Sequence, residues 1–280
     1  MLVTTVIVPH GVVDAAGKVH REVELSTLTG HHELLLAETA SAAGPVAESR
    51  LCALVIGRIG DFEDVDLGLV RLLARGDRHR LLLTVLQGLV GDQLALVARC
   101  DNPTCRALSD LDLSISELLG APREAVGVEV DTPAGRIRVR EPLGVDDELA
   151  AAGEPIWPRL VEDLAGEGPP SPERWLALDA GVRQQVALAF AEQSSALDLG
   201  IIGRCPECRA RFDLWLDPIQ LLRQATRAGV GRLFAEVHTL AWHYHWPEDH
   251  ILALPRERRW HYLELVRRQL EGRPLDGAWS

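Results

Sequence analysis

The chain contains almost no lysine, and this absence excludes a common class of nucleotide-binding protein. Lys18 is the only lysine, and the single Gly-Lys pair is followed by Val19 instead of Ser or Thr. A phosphate-binding loop needs Gly-Lys-Ser or Gly-Lys-Thr, so a nucleotide hydrolase is not expected. The 29 Lys and Arg residues stand against 41 Asp and Glu residues and give a net charge of −12. Binding to nucleic acid, which requires clustered basic side chains, is therefore disfavoured.

The sequence also lacks segments that direct a protein into or across a membrane. No apolar run approaches the ~20 residues of a membrane-spanning helix. The stretch from Met1 to His10 lacks the basic start and the cleavage site of a secretion signal. We therefore expect a cytoplasmic protein with no membrane partner. Because 47% of the 280 residues are apolar, we expect a folded chain with one large domain or two ordinary ones.

Motifs of common enzymes are missing as well. There is no Gly-x-Ser-x-Gly nucleophile motif, and His31-His32-Glu33 lacks the second histidine of a zinc protease. These absences predict a protein that is not an enzyme and that has no small-molecule substrate.

Four of the five cysteines lie in two short loops whose spacing is typical of metal ligands. Cys100 and Cys105 form one loop, and Cys205 and Cys208 form the other; we call each loop a knuckle. Five cysteines are too few for a disulfide scaffold, whereas two such loops can present four thiolates to a tetrahedral zinc ion. We therefore predict a structural Zn²⁺ site that its four ligands close to water. Cys52, in an apolar stretch, is predicted to be a core residue.

Other interpretations of these cysteines stay open. Four unrelated buried cysteines are one, although the matched spacing argues against chance. A redox role for Cys205-Pro206-Glu207-Cys208 is another, but a thioredoxin-like pair begins a helix, whereas the sequence after Cys208 predicts a strand. A metalloenzyme would need one of the four cysteines not to bind the metal.

The segments around the two knuckles are similar to each other. Arg99-Cys100 and Arg204-Cys205 begin them, and seven of the fourteen positions after the second cysteine are identical. Alternating apolar residues predict a strand in each copy, followed by a helix that Ser114 or Asp217 caps. We interpret this similarity as a tandem duplication. Arginines flank all four cysteines and can offset the charge of the thiolates.

The similarity extends upstream of the knuckles. Asp77 and Asp179 can each cap a helix with apolar periodicity, over about 78–89 and 180–193. Turn sequences beginning at Asp14 and Asp131 predict a hairpin at the start of each unit.

The sequence therefore predicts an α+β fold made of two related halves and a tail. The first half covers 1–123 and carries the Cys100/Cys105 knuckle. The second half covers 124–224 and carries the Cys205/Cys208 knuckle, and an all-helical tail covers 225–280. The zinc ion would join the two halves.

The tail differs in composition from the rest of the chain. Its net charge is about +1 against −13 for the remainder, and it holds seven of the thirteen aromatic residues: Phe234, Trp242, Tyr244, Trp246, Trp260, Tyr262 and Trp279. A helix is predicted at about 229–243, then a break at Trp246-Pro247, a short turn of helix, another break at Pro255 and a final helix to about Gln269. Aromatic and arginine side chains are typical of protein interfaces. We predict a partner-binding surface formed by Trp242, Tyr244, Trp246, Arg258, Arg259, Trp260 and Tyr262.

Several segments of the tail resemble a known family. They are Glu236-Val237-His238, the cluster from Trp242 to Trp246, Ile251-Leu252-Ala253-Leu254-Pro255, Arg258-Arg259 and Tyr262-Leu263. Their order is similar to the conserved C-terminal signature of T-even-type phage baseplate proteins, found in contractile phage tails and in phage-tail-like contractile injection systems. Leu28-Thr29-Gly30, Gly76-Asp77-Arg78 and the cysteine pairs resemble features of longer family members, so the resemblance covers nearly the full length.

The resemblance implies a non-enzymatic role in building a baseplate near its central hub, with other baseplate or hub subunits as partners. It does not distinguish an assembly factor from a retained subunit, and it brings no active site. The alternative from another class is a zinc-ribbon adaptor that binds another protein or nucleic acid. We interpret His238, His243, His245 and His250 as packing residues, because their spacing does not suit two metal ligands on one helical face.

Overall fold

A computed structural model describes residues 4–39, 44–122, 127–193, 197 and 199–274. Within these residues the predicted mixture of helices and small antiparallel sheets is confirmed. The strands are β1 (Thr4–Val13), β2 (Val19–Leu25), β3 (Ile56–Ile59), β4 (Gln93–Arg99), β5 (Leu108–Ser114), β6 (Val128–Thr132), β7 (Gly135–Val139), β8 (Val161–Leu164), β9 (Gly200–Arg204) and β10 (Arg211–Trp215). The helices are α1 (Gly30–Thr39), α2 (Pro45–Val55), α3 (Leu67–Val70), α4 (Arg75–Val90), α5 (Ile115–Leu119), α6 (Gly144–Ala151), α7 (Trp157–Leu160), α8 (Pro172–Ala177), α9 (Ala180–Gln193), α10 (Pro218–Tyr244), α11 (Glu248–Leu252) and α12 (Arg256–Leu270).

The elements from β1 to α5 follow the same order as those from β6 to α10. In both stretches a hairpin is followed by two helices, a third strand, two more helices, a second hairpin and a helix. The first hairpin and the third strand form an antiparallel sheet, with strand orders β1-β2-β3 and β6-β7-β8. The second hairpins, β4-β5 and β9-β10, are separate two-stranded sheets. Both hairpins predicted from turn sequences, β1-β2 and β6-β7, are confirmed.

The two three-stranded sheets share an irregularity in register. In each, two successive residues of the middle strand pair with residues two positions apart on the third strand, which is a β-bulge. The pairs are Glu24–Arg58 and Leu25–Ile56 in one sheet, and Arg138–Asp163 and Val139–Val161 in the other. The residues that follow β3 and β8, Gly60 and Ala165, both have a positive φ, of 52° and 58°. Such a φ is unusual for alanine, so the sheet geometry imposes it.

The largest apolar core combines two distant parts of the chain. It contains buried residues of β1, β2, α2, α4 and α5, together with Leu199, Leu216, Ile219, Leu221 and Leu222. A second core lies within 128–190 and is built from β6, β7, β8, α8 and α9. The chain therefore leaves the first core after α5, forms the second core and returns to the first with β9. Packing thus crosses the boundary between 1–123 and 124–224, although the order of elements repeats there.

A buried ionic network joins α6 to α2 and α4. Arg78 of α4 is fully buried and forms ion pairs with Glu48 of α2, at 3.2 Å, and with Asp147 of α6. Arg75 also pairs with Asp147, and its backbone N–H donates to the carbonyl of Pro142 at 3.0 Å. These charge-assisted contacts fix α6 on α2 and α4.

Three of the four predicted helix caps are present, and one is wrong. Ser114, Asp179 and Asp217 accept backbone N–H groups from the first helical turn at 3.1, 2.8 and 2.9 Å. Asp77 does not cap α4, because the helix already begins at Arg75. Its carboxylate instead accepts the backbone N–H groups of His10 and Gly11 at 3.2 and 2.7 Å. Asp77 thus holds β1 against α4.

The helix that opens the tail is longer than the prediction of 229–243. α10 runs without a break from Pro218 to Tyr244 and packs on α1 and α4. Thr226 and Leu233 are buried on either side of its two central glycines, so packing continues the helix where propensity alone would weaken it. The helix ends before His245, which has a φ of 56°. The breaks predicted at Trp246-Pro247 and Pro255 are confirmed. Trp279 lies outside the described residues.

The tail folds back onto α1 through Arg259. This residue is fully buried, and its guanidinium donates to Glu236 of α10 at 2.9 Å and to Glu33 of α1 at 2.5 Å. Nearby, the N–H of Gly30 donates to the carbonyl of Leu254 at 3.3 Å. A Cβ on Gly30 would lie 2.9 Å from a leucine side chain of α11, so this close approach requires glycine.

We expect Arg259→Met to destabilise the protein by about 3–5 kcal/mol, because it leaves the carboxylates of Glu33 and Glu236 buried without their cation. Denaturant unfolding followed by circular dichroism measures this change. Arg258→Met is the matched control, since Arg258 is exposed and its removal should not shift the midpoint. Equal midpoints for the two variants would show that the buried ion pairs do not hold the tail in place.

Candidate metal centre

Each knuckle is the loop of a two-stranded hairpin. β4 and β5 flank the loop 100–107, and β9 and β10 flank the loop 205–210. The first cysteine of each loop donates its backbone N–H to the carbonyl of Ala107 or Ala210, and both distances are 2.9 Å. The strand pairing thus continues by one step into the loop and fixes the position of the first cysteine.

A left-handed residue follows the second cysteine in both knuckles. Arg106 has a φ of 50° and Arg209 a φ of 63°, a conformation that side chains other than glycine rarely adopt. Hydrogen bonds hold these residues there. The N–H of Arg106 donates to Asn102 at 3.0 Å, and that of Arg209 donates to Cys205 at 2.9 Å. The tight turn returns the second sulfur of each loop to within 4.8 Å of the first.

Four sulfur atoms from the two knuckles meet at one point. All four Sγ atoms lie within 4.8 Å of one another. The Sγ atoms of Cys100 and Cys208 are 3.6 Å apart, and those of Cys105 and Cys205 are 3.9 Å apart. A tetrahedral site with metal–sulfur bonds of about 2.3 Å has sulfur–sulfur edges of roughly 3.8 Å. The four cysteines could therefore bind one metal ion, although the cysteines of these two pairs are 108 and 100 positions apart in sequence.

Backbone N–H groups around the cluster stabilise thiolates. In three cases the N–H two residues after a cysteine donates to its sulfur, which favours a lower pKa of the thiol: Asn102 to Cys100, Ala107 to Cys105 and Ala210 to Cys208. For Cys100 and Cys105, burial and neighbouring cysteines outweigh this hydrogen bond and raise the pKa. The side-chain amide of Asn102 also donates to the Cys208 sulfur across the two loops, at 3.7 Å. This arrangement suits sulfur as an anionic ligand.

The proximity of the four sulfurs shifts the pKa values of the Cys208 and Cys100 thiols in opposite directions. The N–H of Ala210 and hydrogen bonds from the other cysteines lower the pKa of Cys208 to about 7. The N–H of Asn102 also lowers the pKa of Cys100, but burial and the neighbouring cysteines outweigh it and raise that pKa to about 12. One thiolate thus suppresses ionisation of its neighbours. A bound divalent cation would remove this repulsion, and four sulfur donors suit a soft one.

Cys52 has no part in this cluster. It is fully buried in α2, within the largest core. Burial raises the pKa of its thiol well above the usual range, and its S–H faces the carbonyl of Arg78 at 3.9 Å. The prediction that Cys52 is a core residue is confirmed.

The residues of the predicted partner surface fall into two groups. Trp242 and Trp260 are 72% and 60% exposed, and Arg258 is exposed as well. The remaining aromatic residues are half-buried and pack on one another with ring centroids 4.8 to 5.6 Å apart: Tyr244, Trp246 and Tyr262. This aromatic cluster stabilises the tail, and its rings remain partly exposed.

The expectation that Arg259 faces a partner is wrong. Its guanidinium is buried and fully used by Glu33, Glu236 and the carbonyl of Leu254. The adjacent Arg258 points to solvent. Consecutive helical residues face different directions, which the pair of arginines in the sequence did not reveal.

The interpretation of the four tail histidines as packing residues is wrong. His238, His243, His245 and His250 are all exposed. In the parts of the chain with described coordinates, the cysteine cluster is the one group of three or more possible metal ligands close enough to share an ion.

Asn102 is the site residue that sequence reasoning missed. It lies inside the first knuckle, accepts the N–H of Thr104 at 3.1 Å and donates to the Cys208 sulfur at 3.7 Å. Its place two residues after Cys100, at the start of a turn, is the signal that could have found it. Contacts to a ligand atom from outside the ligand set tune metal affinity.

No described helix combines the length and apolar character needed to cross a lipid bilayer. Comparison of the chain with protein-family profiles, with curated proteins and with solved structures finds no match.

Replacing any one of the four clustered cysteines by serine should weaken metal binding by more than about a hundredfold, since changes outside the ligand set alone cost up to that factor. Metal content of the purified protein and competition with a chromophoric chelator measure this loss. Cys52→Ser is the control and should retain one metal ion per chain. If Cys52→Ser loses metal and Cys208→Ser retains it, the ligand set is wrong.

Proposed function

We propose that this protein is a non-enzymatic structural or assembly component of the baseplate of a contractile phage tail or phage-tail-like injection system. The observation that carries the proposal is the C-terminal signature from Glu236 to Leu263. Segments that carry the resemblance are far apart in sequence but contact each other in the structure. Leu254 and Arg259 of the tail contact α1, in which Gly30 is the first residue.

The packing of these segments supports treating the resemblance as one structural unit. The signature supplies four of the five buried residues of the third apolar core, Val237, Leu240, Ile251 and Leu252. Gly76-Asp77-Arg78 likewise holds internal contacts, through Asp77 to β1 and through Arg78 to Asp147. Motifs that stabilise a fold are expected to persist across a family even where partners differ.

The metal in this proposal is a structural zinc ion bound by Cys100, Cys105, Cys205 and Cys208. Zinc favours tetrahedral sulfur ligands, and four protein ligands leave no position for water or substrate. The spacing of the sulfurs supports this assignment. The second core is formed by the segment between the two knuckles. The ion would bind both ends of this segment, and so it would fix the second unit against the first.

A duplicated architecture is part of the same proposal. The repeated order of ten elements, the matching β-bulges and the matching left-handed residues Arg106 and Arg209 support it. Two copies of one unit would each contribute half of the metal site. The shared site explains why β9 and β10 pack with the first core.

The partner surface we propose centres on Trp242 and Trp260, which the chain leaves exposed at 72% and 60%. Large exposed tryptophans are unfavourable in water and typical of interface hot spots. Other baseplate or hub subunits would cover them. Assembly in the cytoplasm, with or without retention in the particle, is consistent with this role.

Deleting the gene in its source strain should abolish complete contractile particles, because a baseplate that lacks a structural or assembly component cannot start a tail. Electron microscopy and mass spectrometry of purified particles provide the measurement. Complementation with Trp242→Ala/Trp260→Ala should restore few particles, whereas Leu270→Ala, which removes another exposed apolar side chain, should restore the normal number.

Normal particles from the deletion strain, with the protein absent from wild-type particles, would refute the baseplate role. Full rescue by the double tryptophan variant would refute the partner surface alone.

A further inference from the structure

The outward faces of the two knuckle hairpins carry exposed apolar side chains at equivalent positions. Val97 of β4 and Ile202 of β9 each stand three residues before the first cysteine of a knuckle and are 62% and 68% exposed. Leu108 and Trp215 on the partner strands are 61% and 67% exposed. The opposite faces of both hairpins pack on the first core through alternate residues. No element among the described residues covers these apolar side chains beside the cysteine cluster.

Arginines surround the cysteine ends of the same hairpins. Arg99 and Arg204 precede the first cysteines, Arg106 and Arg209 follow the second, and all four are exposed. Within the described residues none of these four forms an ion pair, in a chain whose net charge is −12. Unpaired guanidinium groups next to exposed apolar side chains are the composition of a binding surface, and Trp and Arg are the commonest hot-spot residues.

Within each hairpin, the strand pairing places the arginine before the first cysteine on the same face as the exposed apolar side chains. Arg99 stands directly opposite Leu108 and two residues from Val97. In the second hairpin Arg204 stands opposite Arg211, and Trp215 stands opposite Gly200. Residues opposite each other or two apart along a strand share a face. Each hairpin thus offers basic groups at its cysteine end and apolar groups immediately behind them.

The distribution of charge favours a protein ligand over nucleic acid. Asp110 and Asp112 lie on the outward face of the first hairpin and are exposed, whereas Asp213 on the second hairpin is paired with Arg211 at 2.9 Å. A phosphate backbone laid along the first hairpin would meet these two carboxylates, which form no ion pair within the described residues, and be repelled. A peptide can place its carboxylates at the arginines alone and its apolar side chains over Val97 and Ile202.

We propose that the outward faces of the two knuckle hairpins bind an acidic segment of a partner protein. Its carboxylates pair with Arg99, Arg106, Arg204 and Arg209, and its apolar side chains cover Val97, Ile202 and Trp215. This inference rests neither on the baseplate role nor on the identity of the metal.

A displayed library of random dodecapeptides, selected on the full-length metal-loaded protein, tests the proposal. We expect enrichment of peptides that combine several Asp or Glu residues with aliphatic or aromatic ones. A synthetic peptide from this selection should bind with an affinity that falls as salt rises. Fluorescence anisotropy measures its affinity, with a single-stranded oligodeoxythymidylate as the nucleic-acid probe.

Arg99→Glu/Arg204→Glu should weaken the peptide about tenfold or more. Ile202→Ser/Trp215→Ser should weaken peptide binding by a similar factor. If the arginine variant loses metal, the comparison rests on this second variant, because Ile202 and Trp215 are further from the cysteines than the arginines are. Arg50→Glu/Arg227→Glu, which changes two exposed arginines elsewhere, should bind as the wild type does. Selection without an acidic consensus, binding unchanged in Ile202→Ser/Trp215→Ser, or binding of the oligonucleotide instead of the peptide would overturn the proposal.

Discussion

The structure depends on the meeting of four sulfur atoms from two hairpin loops. Across the loops, Cys100 and Cys208 are 108 positions apart in sequence, and Cys105 and Cys205 are 100 positions apart. Between the loops the chain leaves the first core, builds a second core over 128–190 and returns. Bringing the two ends of so long a chain segment together has an entropy cost that grows only logarithmically with its length. A bound metal ion can offset that cost, because its binding energy becomes folding energy when the site exists only in the folded chain. Each hairpin alone is a two-stranded sheet, which is marginal in water.

The ion pairs of Arg78 and Arg259, like the sulfur cluster, bring together segments that are distant in sequence. Arg78 connects α4 to α6 of the second unit, and Arg259 connects α12 to α1. Both guanidinium groups are fully buried, so their partners must stay in place to satisfy them. Arg78 thus adds buried polar contacts between α6 and the helices of the first core, and Arg259 adds them between α12 and α1. Such contacts position the exposed surfaces of the tail and of the knuckle hairpins relative to the cores.

Local sequence patterns predicted much of the fold, but they did not predict most of the contacts between distant residues. The alternation in β5 and β10, the caps Ser114 and Asp217 and the grouping of the cysteines were visible because each depends on neighbouring residues or on matched spacing. Asp77 was misassigned because a carboxylate near a helix start can serve a cap or a neighbouring strand, and only tertiary packing decides. Arg259 was misassigned because a tail arginine shows no sign in sequence of Glu33, 226 positions away. The return of β9 to the first core was likewise hidden, since similar apolar strands fit either core.

X-ray absorption at the zinc edge on the purified full-length protein tests the central claim most directly, because it reports the atoms bound to the metal. We expect one zinc ion per chain with four sulfur neighbours at about 2.3 Å and no oxygen or nitrogen in the first shell. A first shell with fewer than four sulfurs, or a protein that folds fully and holds no metal, would contradict the joining of the two knuckles by a single ion.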